Sequence, residues 1–189
     1  KLKGELNNLI VNQYPDTSYL DLREKLVRYT SLKKENMVIT CGADECLDII
    51  SKTFISDKDK AIISTPTYSY FRIVTEIMGG QMINIDRKND FSDDIEKIIK
   101  TASEENVKII FLCNPNNPTG NNVKKNDVIK LLNKVNCTVV VDEAYDEFAK
   151  NTFSKLIDKY KNLIIVRTFS KAFSLAGVRV GYILTNGNT

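Results

Sequence analysis

Short apolar runs alternate with amphipathic helical patterns along almost the whole chain. The apolar runs have the length of strands and lie at residues 37–40, 60–65, 81–85, 107–112, 137–142, 163–167 and 178–184, and helical spacing occurs near residues 18–31, 44–55, 67–79, 92–103, 123–134 and 152–160. Strands that are apolar on both faces, separated by helices, are typical of βαβ units. We therefore predict an α/β fold, with three αβα layers around a mostly parallel sheet.

The length of the chain favours one principal domain. A chain of 189 residues buries about 70% of its extended-chain surface, enough for one sizeable core. No repeat or Pro/Gly-rich linker divides the sequence, so we expect a domain over residues 17–189 after an N-terminal segment over residues 1–16. Because residues 186–189 follow directly on an apparent strand, we expect the chain to be part of a longer polypeptide.

The composition and the lengths of the apolar runs argue against several classes of function. The net charge of +3 is spread along the chain without a basic block that carries aromatics, so we expect no nucleic-acid partner. The apolar runs are too short to span a membrane, and the first residues do not resemble a secretory signal. Four cysteines without CxxC spacing and the lack of histidine exclude zinc ribbons, Ser-His-Asp triads and Cys-His pairs. We expect a cytoplasmic protein with reduced thiols and no metal.

The segment 168-TFSKAFSLAGVRVGY-182 combines hydroxyl, amine and guanidinium groups after an apolar strand. The hydroxyls of Thr168 and Ser170, together with Arg179, can bind a phosphate from two sides. Lys171, held beside that phosphate, can form a Schiff base with an aldehyde on the same compound. For any single lysine, a solvated loop position is the alternative interpretation.

The segment 138-TVVVDEAYDEF-148 places Asp142 at the end of three valines. A carboxylate at the end of a buried strand is costly unless it meets a cation or strong donors, and a pyridinium N–H is such a partner. Tyr145, three residues later, can reach a ring oxygen of the same cofactor. A capping role after the strand is the alternative for Asp142.

Another strand, in 111-FLCNPNNPTG-120, runs into a turn that two prolines make rigid. The amide of Asn117 can donate a hydrogen bond to a ligand oxygen above the sheet. Read alone, the segment is an ordinary turn.

Two further segments add weaker signals. In 40-TCGADECLDII-50, the backbone N–H groups of Ala43 and Asp44 and the helix dipole favour an anion, although Asp44 can instead cap the helix. In 65-TPTYSYF-71, Tyr68 offers a flat surface for an aromatic ring, with a core tyrosine as the alternative.

Taken in order, NPNNPTG, VDEAY and TFSKAFSLAGVRVGY resemble the class I/II aminotransferases of fold type I, which use pyridoxal phosphate (PLP). The similarity extends from about Tyr14 to Tyr182, and the ordered set is far more specific than any one motif. The resemblance implies that Lys171 holds PLP as a Schiff base and that Asp142 pairs with the pyridine nitrogen. The other implied cofactor contacts are Tyr145 and Asn117 at the 3′-oxygen, Tyr68 on the ring, and Ala43, Asp44, Thr168, Ser170 and Arg179 around the phosphate.

Within this family, NQYPDTSYLDLREKLVRY and CGADE are most similar to the histidinol-phosphate aminotransferases of histidine biosynthesis. The similarity implies amino transfer between L-histidinol phosphate, or a related amino compound, and a 2-oxo acid such as 2-oxoglutarate. Threonine-phosphate decarboxylases share YPD and NPNNPTG, and a broader aromatic-amino-acid aminotransferase is a third possibility. A non-catalytic PLP-binding sensor domain of a transcription regulator is the alternative outside enzymes.

The resemblance also implies an assembly. It covers the PLP-binding large domain, whereas the small carboxyl-terminal domain that supplies substrate-binding arginines is not represented. Family members are homodimers, so we expect Tyr14 to reach the PLP phosphate of the neighbouring subunit. The sequence itself contributes an aromatic hydroxyl in an otherwise unanchored N-terminal stretch.

Overall fold

The computed structural model describes residues 4, 10, 12–14, 16–149 and 151–187. The helices are α1 (Leu20–Thr30), α2 (Ala43–Phe54), α3 (Tyr70–Ile77), α4 (Ile95–Glu104) and α5 (Lys125–Lys134). The strands are β1 (Met37–Thr40), β2 (Lys60–Thr65), β3 (Gln81–Asp86), β4 (Val107–Cys113), β5 (Thr138–Asp142), β6 (Leu163–Thr168) and β7 (Gly181–Thr185). In the described part of the chain, no helix is both long and apolar enough to cross a bilayer.

The strands form one sheet in the order β1-β7-β6-β5-β4-β2-β3. β2, β3, β4, β5 and β6 pair in parallel, whereas β7 is antiparallel to both of its neighbours. Parallel pairing brings the carboxyl ends of β4 and β5 to the same edge, where Cys113 lies opposite Asp142. The predicted mostly parallel sheet is confirmed.

Both faces of the sheet are covered, because its central strands are apolar on both sides. On one face α2 and α3 contribute Leu47 and Phe71 to a buried cluster. On the other face α1, α4 and α5 contribute Leu26, Ile98 and Leu131. The predicted three-layer αβα architecture is thus confirmed, with strand ends left open for a ligand.

Two predicted elements differ from the structure. The helix predicted near residues 152–160 is wrong, since this stretch holds only a 3₁₀ turn at Ser154–Leu156 among the residues described. Phe153, Ile157 and Tyr160 are buried at a helical spacing, but the N–H groups of Leu156, Ile157 and Lys159 bond to carbonyls three residues back instead of four. The strand predicted from residue 178 begins at Gly181, because Ala176–Val178 form a 3₁₀ turn and Arg179 has a φ of 56°.

Candidate active site

A cavity opens at the carboxyl ends of β4, β5 and β6, beside the N-terminus of α2. Ten of the eleven residues predicted to bind a cofactor line it, namely Ala43, Asp44, Tyr68, Asn117, Asp142, Tyr145, Thr168, Ser170, Lys171 and Arg179. They come from segments more than a hundred residues apart in sequence. Tyr14, the eleventh, does not line this cavity, and its side chain is fully exposed in the single chain.

Asp142 is the more deeply buried of the two carboxyl groups that line the cavity, with 3% of its surface exposed. One carboxylate oxygen accepts a hydrogen bond of 2.9 Å from the Ala144 N–H. Burial raises the pKa of Asp142 to about 6, and the Ala144 N–H and the charge of Lys171 oppose that rise only in part. The local bond resembles the predicted cap, but it does not offset burial and the nearby charges of Asp44 and Glu143, which raise the pKa.

Lys171 lines the cavity near the residues that follow β5. Its Nζ lies 5.4 Å from the centre of the Tyr145 ring, a distance suited to a cation–π contact. Because Tyr145 follows β5 and Lys171 follows β6, this contact joins the loops of two neighbouring strands. It keeps the amine near Asp142, whose pKa the lysine charge lowers.

We call residues 168–180 the lysine loop. Its start is organised by Thr168, whose Oγ1 lies 2.9 Å from Ser170 Oγ and 3.2 Å from the Val180 carbonyl oxygen. The Ser170 N–H also donates to this Thr168 oxygen. Near its end, the Arg179 guanidinium donates to the Ala176 carbonyl at 3.2 Å and lies 3.9 Å from Asp44. Hydroxyl and guanidinium groups therefore converge from both ends of one loop.

Two glycines allow close packing around Arg179 at one side of the cavity. A Cβ on Gly42 would lie 2.6 Å from an Arg179 guanidinium nitrogen, and Gly42 has a φ of 88°. A Cβ on Gly181 would lie 2.5 Å from the carbonyl carbon of Gly42. The start of β7 thus packs directly on the backbone before α2. This packing presents Arg179 beside the helix N-terminus, where free N–H groups attract anions.

Asp44 meets its neighbours through its side chain. Its carboxylate accepts a hydrogen bond of 2.9 Å from the Tyr68 hydroxyl, and it lies near Arg179. Burial, followed by this bond to Asp44, raises the pKa of Tyr68, so the phenol remains a donor. The Asp44 carboxylate repels an anion, and anion binding at this residue must therefore use its backbone N–H.

We call residues 114–123 the asparagine turn. Asn114 and Asn116 are buried, and their amides bond to the backbone at Asn151 and Pro66, respectively. Asn117 is half-buried and lines the cavity. Of Asn114, Asn116 and Asn117, the first two thus hold the turn and the third lines the ligand space.

Sequence reasoning missed three lining residues and a buried ion pair. Cys113, Ala144 and Ala176 also line the cavity. Strand register was the signal available for Cys113, since it ends β4 opposite Asp142. Behind the cavity, Arg167 bonds to Glu143 at 2.7 Å. The two charges stand next to Thr168 and Asp142 in sequence, but their pairing depends on β5 and β6 being neighbours.

Comparison with known proteins points to one family. The family described as "Aminotransferase class I and II" matches residues 5–188. The histidinol-phosphate aminotransferase of Ruminiclostridium cellulolyticum is 42% identical over 181 residues, which are 93% of this chain and 50% of that protein. The enzyme of that name from Methanosarcina barkeri is 42% identical over 172 residues, 90% of this chain and 47% of its own. The chain therefore spans about half the length of the curated relatives it matches.

Solved structures agree with this relationship. Histidinol-phosphate aminotransferase from Sinorhizobium meliloti, in complex with pyridoxal-5′-phosphate, has a TM-score of 0.87 at 28% identity and covers 94% of this chain and 49% of its own. L-threonine-O-3-phosphate decarboxylase from Porphyromonas gingivalis has a TM-score of 0.83 at 26% identity, over 99% of this chain and 57% of its own. The fold is thus shared with solved structures of two kinds, one named an aminotransferase and the other a decarboxylase.

Proposed function

Since the chain belongs to the class I and II aminotransferases, we propose that its cavity binds PLP and that the protein it is part of catalyses amino transfer. The observation that carries the proposal is the convergence of Lys171, Asp142 and Arg179 in one cavity, beside the N-terminus of α2. An amine, a buried acid and an anion site are the three groups that an aldehyde-bearing pyridine phosphate requires.

The residues present fit PLP at each of its functional groups. Asp142 is a buried carboxylate whose raised pKa calls for a positively charged partner, and a protonated ring nitrogen provides one. Lys171 supplies the amine for covalent attachment. Asn117 and Tyr145 supply polar groups for the ring oxygen, and Tyr68 supplies a face for the ring. The phosphate contacts we assign are the backbone of Ala43 and Asp44, the hydroxyls of Thr168 and Ser170, and the Arg179 guanidinium.

When bound, PLP provides an electron sink for the charge that develops on the substrate Cα. Lys171 Nζ would act as the positioned general base that removes the substrate Cα proton and as the general acid that delivers it to the former aldehyde carbon of the cofactor. Asp142 holds the proton on the ring nitrogen and thereby maintains the sink. The Tyr145 ring, whose centre lies 5.4 Å from Lys171 Nζ, keeps the amine inside the cavity.

We propose L-histidinol phosphate as the amino donor and 2-oxoglutarate as the acceptor. Support for the donor comes from relatives named histidinol-phosphate aminotransferase at 42% identity. The second candidate is a decarboxylase acting on threonine phosphate, which the resemblance to the Porphyromonas gingivalis structure favours. The two reactions differ in which bond at Cα breaks, and Lys171 and Asp142 serve both.

We further propose a homodimer in which Tyr14 reaches the phosphate of the neighbouring subunit. Its fully exposed side chain is available for such a contact. Sedimentation of the full-length protein, saturated with PLP, should give a dimer. An active monomer would contradict this proposal.

The test of cofactor attachment uses the full-length protein. Reduction with borohydride followed by peptide mass spectrometry should place a pyridoxyl group on Lys171. The same peptide from a Lys125→Arg variant, which changes an exposed lysine on α5, should carry the group equally. A pyridoxyl group found only on other lysines would reject the site.

The test of the reaction compares two substrates side by side. Amino transfer from L-histidinol phosphate to 2-oxoglutarate and carbon dioxide release from L-threonine phosphate are measured on the same preparation. Transfer without release supports the aminotransferase. Release without transfer would establish the decarboxylase instead.

A further inference from the structure

A cluster of buried charges lies directly behind the cavity. The Arg167 guanidinium donates to Glu143 Oε2 from two nitrogens, at 3.0 Å and 2.7 Å, and pairs with Asp146 at 2.8 Å. Arg167 and Glu143 are 4% and 1% exposed. We call Glu143, Asp146 and Arg167 the acid–arginine cluster. One cation thus joins a fully buried acid, Glu143, and a partly buried one, Asp146.

The cluster is fully engaged with the surrounding backbone and hydroxyls. Glu143 Oε1 accepts a bond of 2.7 Å from the Phe153 N–H, and its Oε2 accepts one of 3.0 Å from the Thr152 hydroxyl. Arg167 also lies 2.6 Å from that hydroxyl. These bonds fasten the segment after β5 to the end of β6.

The members of the cluster stand next to the residues assigned to PLP. Glu143 follows Asp142, and Arg167 precedes Thr168. Because neighbouring residues of a strand point to opposite faces, the ion pair lies behind the sheet edge while Asp142 and Thr168 line the cavity. The ion pair therefore links the ends of β5 and β6 on one side of the sheet, and the cavity lies on the other side.

A stability role alone is a weak explanation for such a cluster. Burying ions costs solvation, and a well-packed apolar pair often stabilises a fold as well or better. A planar guanidinium that meets fixed acceptors nevertheless sets geometry more strictly than apolar contacts do. The cluster joins the residue after Asp142 to the residue before the lysine loop, which gives that geometry a use.

We propose that the acid–arginine cluster is a positioning device that sets the separation between Asp142 and the start of the lysine loop. The inference rests on the proposed function and extends it to residues that do not touch the cofactor. Glu143 and Arg167 act through Asp142 and Thr168, so a shift in the pair moves the acid relative to Lys171.

Two variants of the full-length protein test this inference. Glu143→Gln keeps the shape and the oxygen that accepts from Phe153 but removes the charge. Arg167→Lys keeps the charge but cannot reach several acceptors in one plane. We expect both to weaken PLP binding to the apoprotein about tenfold and to lower kcat roughly ten- to hundredfold, with a smaller change in KM. PLP affinity is measured by absorbance titration.

Leu131→Ala is the matched control, because Leu131 is fully buried on α5 and does not line the cavity. It should lower the urea midpoint while leaving PLP affinity and kcat close to the parent values. If Glu143→Gln and Arg167→Lys behave like this control, the cluster is only structural and the inference is wrong. If Glu143→Gln does not fold, Arg167→Lys, which retains the buried charge, decides alone. A parent protein that binds no PLP would instead refute the proposed function itself.

Discussion

The asparagine turn and the lysine loop face the same cavity but are held in different ways. In the asparagine turn, buried side-chain amides reach other parts of the chain, as Asn114 does at Asn151 and Asn116 at Pro66. Among the described residues, the hydrogen bonds of positions 169–179 stay within the lysine loop. Ring contacts, such as that between Phe173 and Tyr29, connect it to α1.

This difference makes the asparagine turn a fixed wall of the cavity and the lysine loop an adjustable wall. Backbone that depends on buried amides loses several bonds if it moves, whereas a loop with internal bonds can shift as a unit. The proposed chemistry needs both. Asn117 must keep its position against the ring, while Lys171 must leave the cofactor and act on the substrate.

The largest effect should come from the adjustable wall. Lys171→Arg keeps the charge but cannot attach PLP, so amino transfer should fall roughly 10²- to 10⁴-fold, the usual contribution of a positioned acid–base group. Because the side chain is exposed, the urea midpoint should stay within experimental error of the parent. Lys125→Arg should change neither quantity. Full activity in Lys171→Arg would remove the lysine from the mechanism.

The opposite pattern is expected in the fixed wall. Asn114→Ala leaves the Val123 N–H and the Asn151 carbonyl without their buried partner, which should lower the free energy of unfolding by about 2 to 4 kcal/mol. Asn126→Ala, at an exposed position of α5, should change it by no more than about 0.5 kcal/mol. Equal urea midpoints for the two variants would show that the turn does not depend on its buried amide.

The two walls also differ in what the sequence could predict. NPNNPTG and TFSKAFSLAGVRVGY identify both turns, because rigid prolines and clustered polar groups follow apolar strands. The β7 boundary was wrong, since the left-handed backbone at Arg179 has no signature in hydrophobic periodicity. Pairing Arg167 with Glu143 requires knowing that β5 and β6 are neighbours, which is a property of the tertiary fold.

Asp142 lies between the two walls and should make stability depend on pH and on PLP. Its folded pKa of about 6 exceeds the usual value of 3.8, so its contribution to apoprotein stability is present below pH 3.8 and is lost as pH rises through 6. Asp142→Asn should therefore gain stability relative to the parent between pH 4 and 7, by about 3 kcal/mol. Unfolding measured across this range checks the difference.

Addition of PLP should reduce that gain, because a protonated ring nitrogen stabilises the carboxylate of the parent. Turnover of Asp142→Asn should fall roughly tenfold to more than a hundredfold, since a neutral amide cannot hold that proton. A pH-independent difference in stability would show that Asp142 ionises normally. A variant that turns over at the parent rate would make Asp142 a cap only.

The smallest effect concerns the packing of the end of the lysine loop against α2. Two glycines test it, one closely packed and one in open space. A Cβ at Gly181 would collide with the backbone of Gly42, whereas one at Gly177 meets nothing within 4 Å. Gly181→Ala should therefore cost about 1 to 3 kcal/mol of stability through overpacking, and it should weaken PLP binding because Arg179 moves away from the helix N-terminus. Gly177→Ala tests whether any methyl group near the loop has this effect, and it should leave PLP affinity unchanged. Equal PLP affinities in the two variants would show that the close approach of β7 and α2 does not build the anion site.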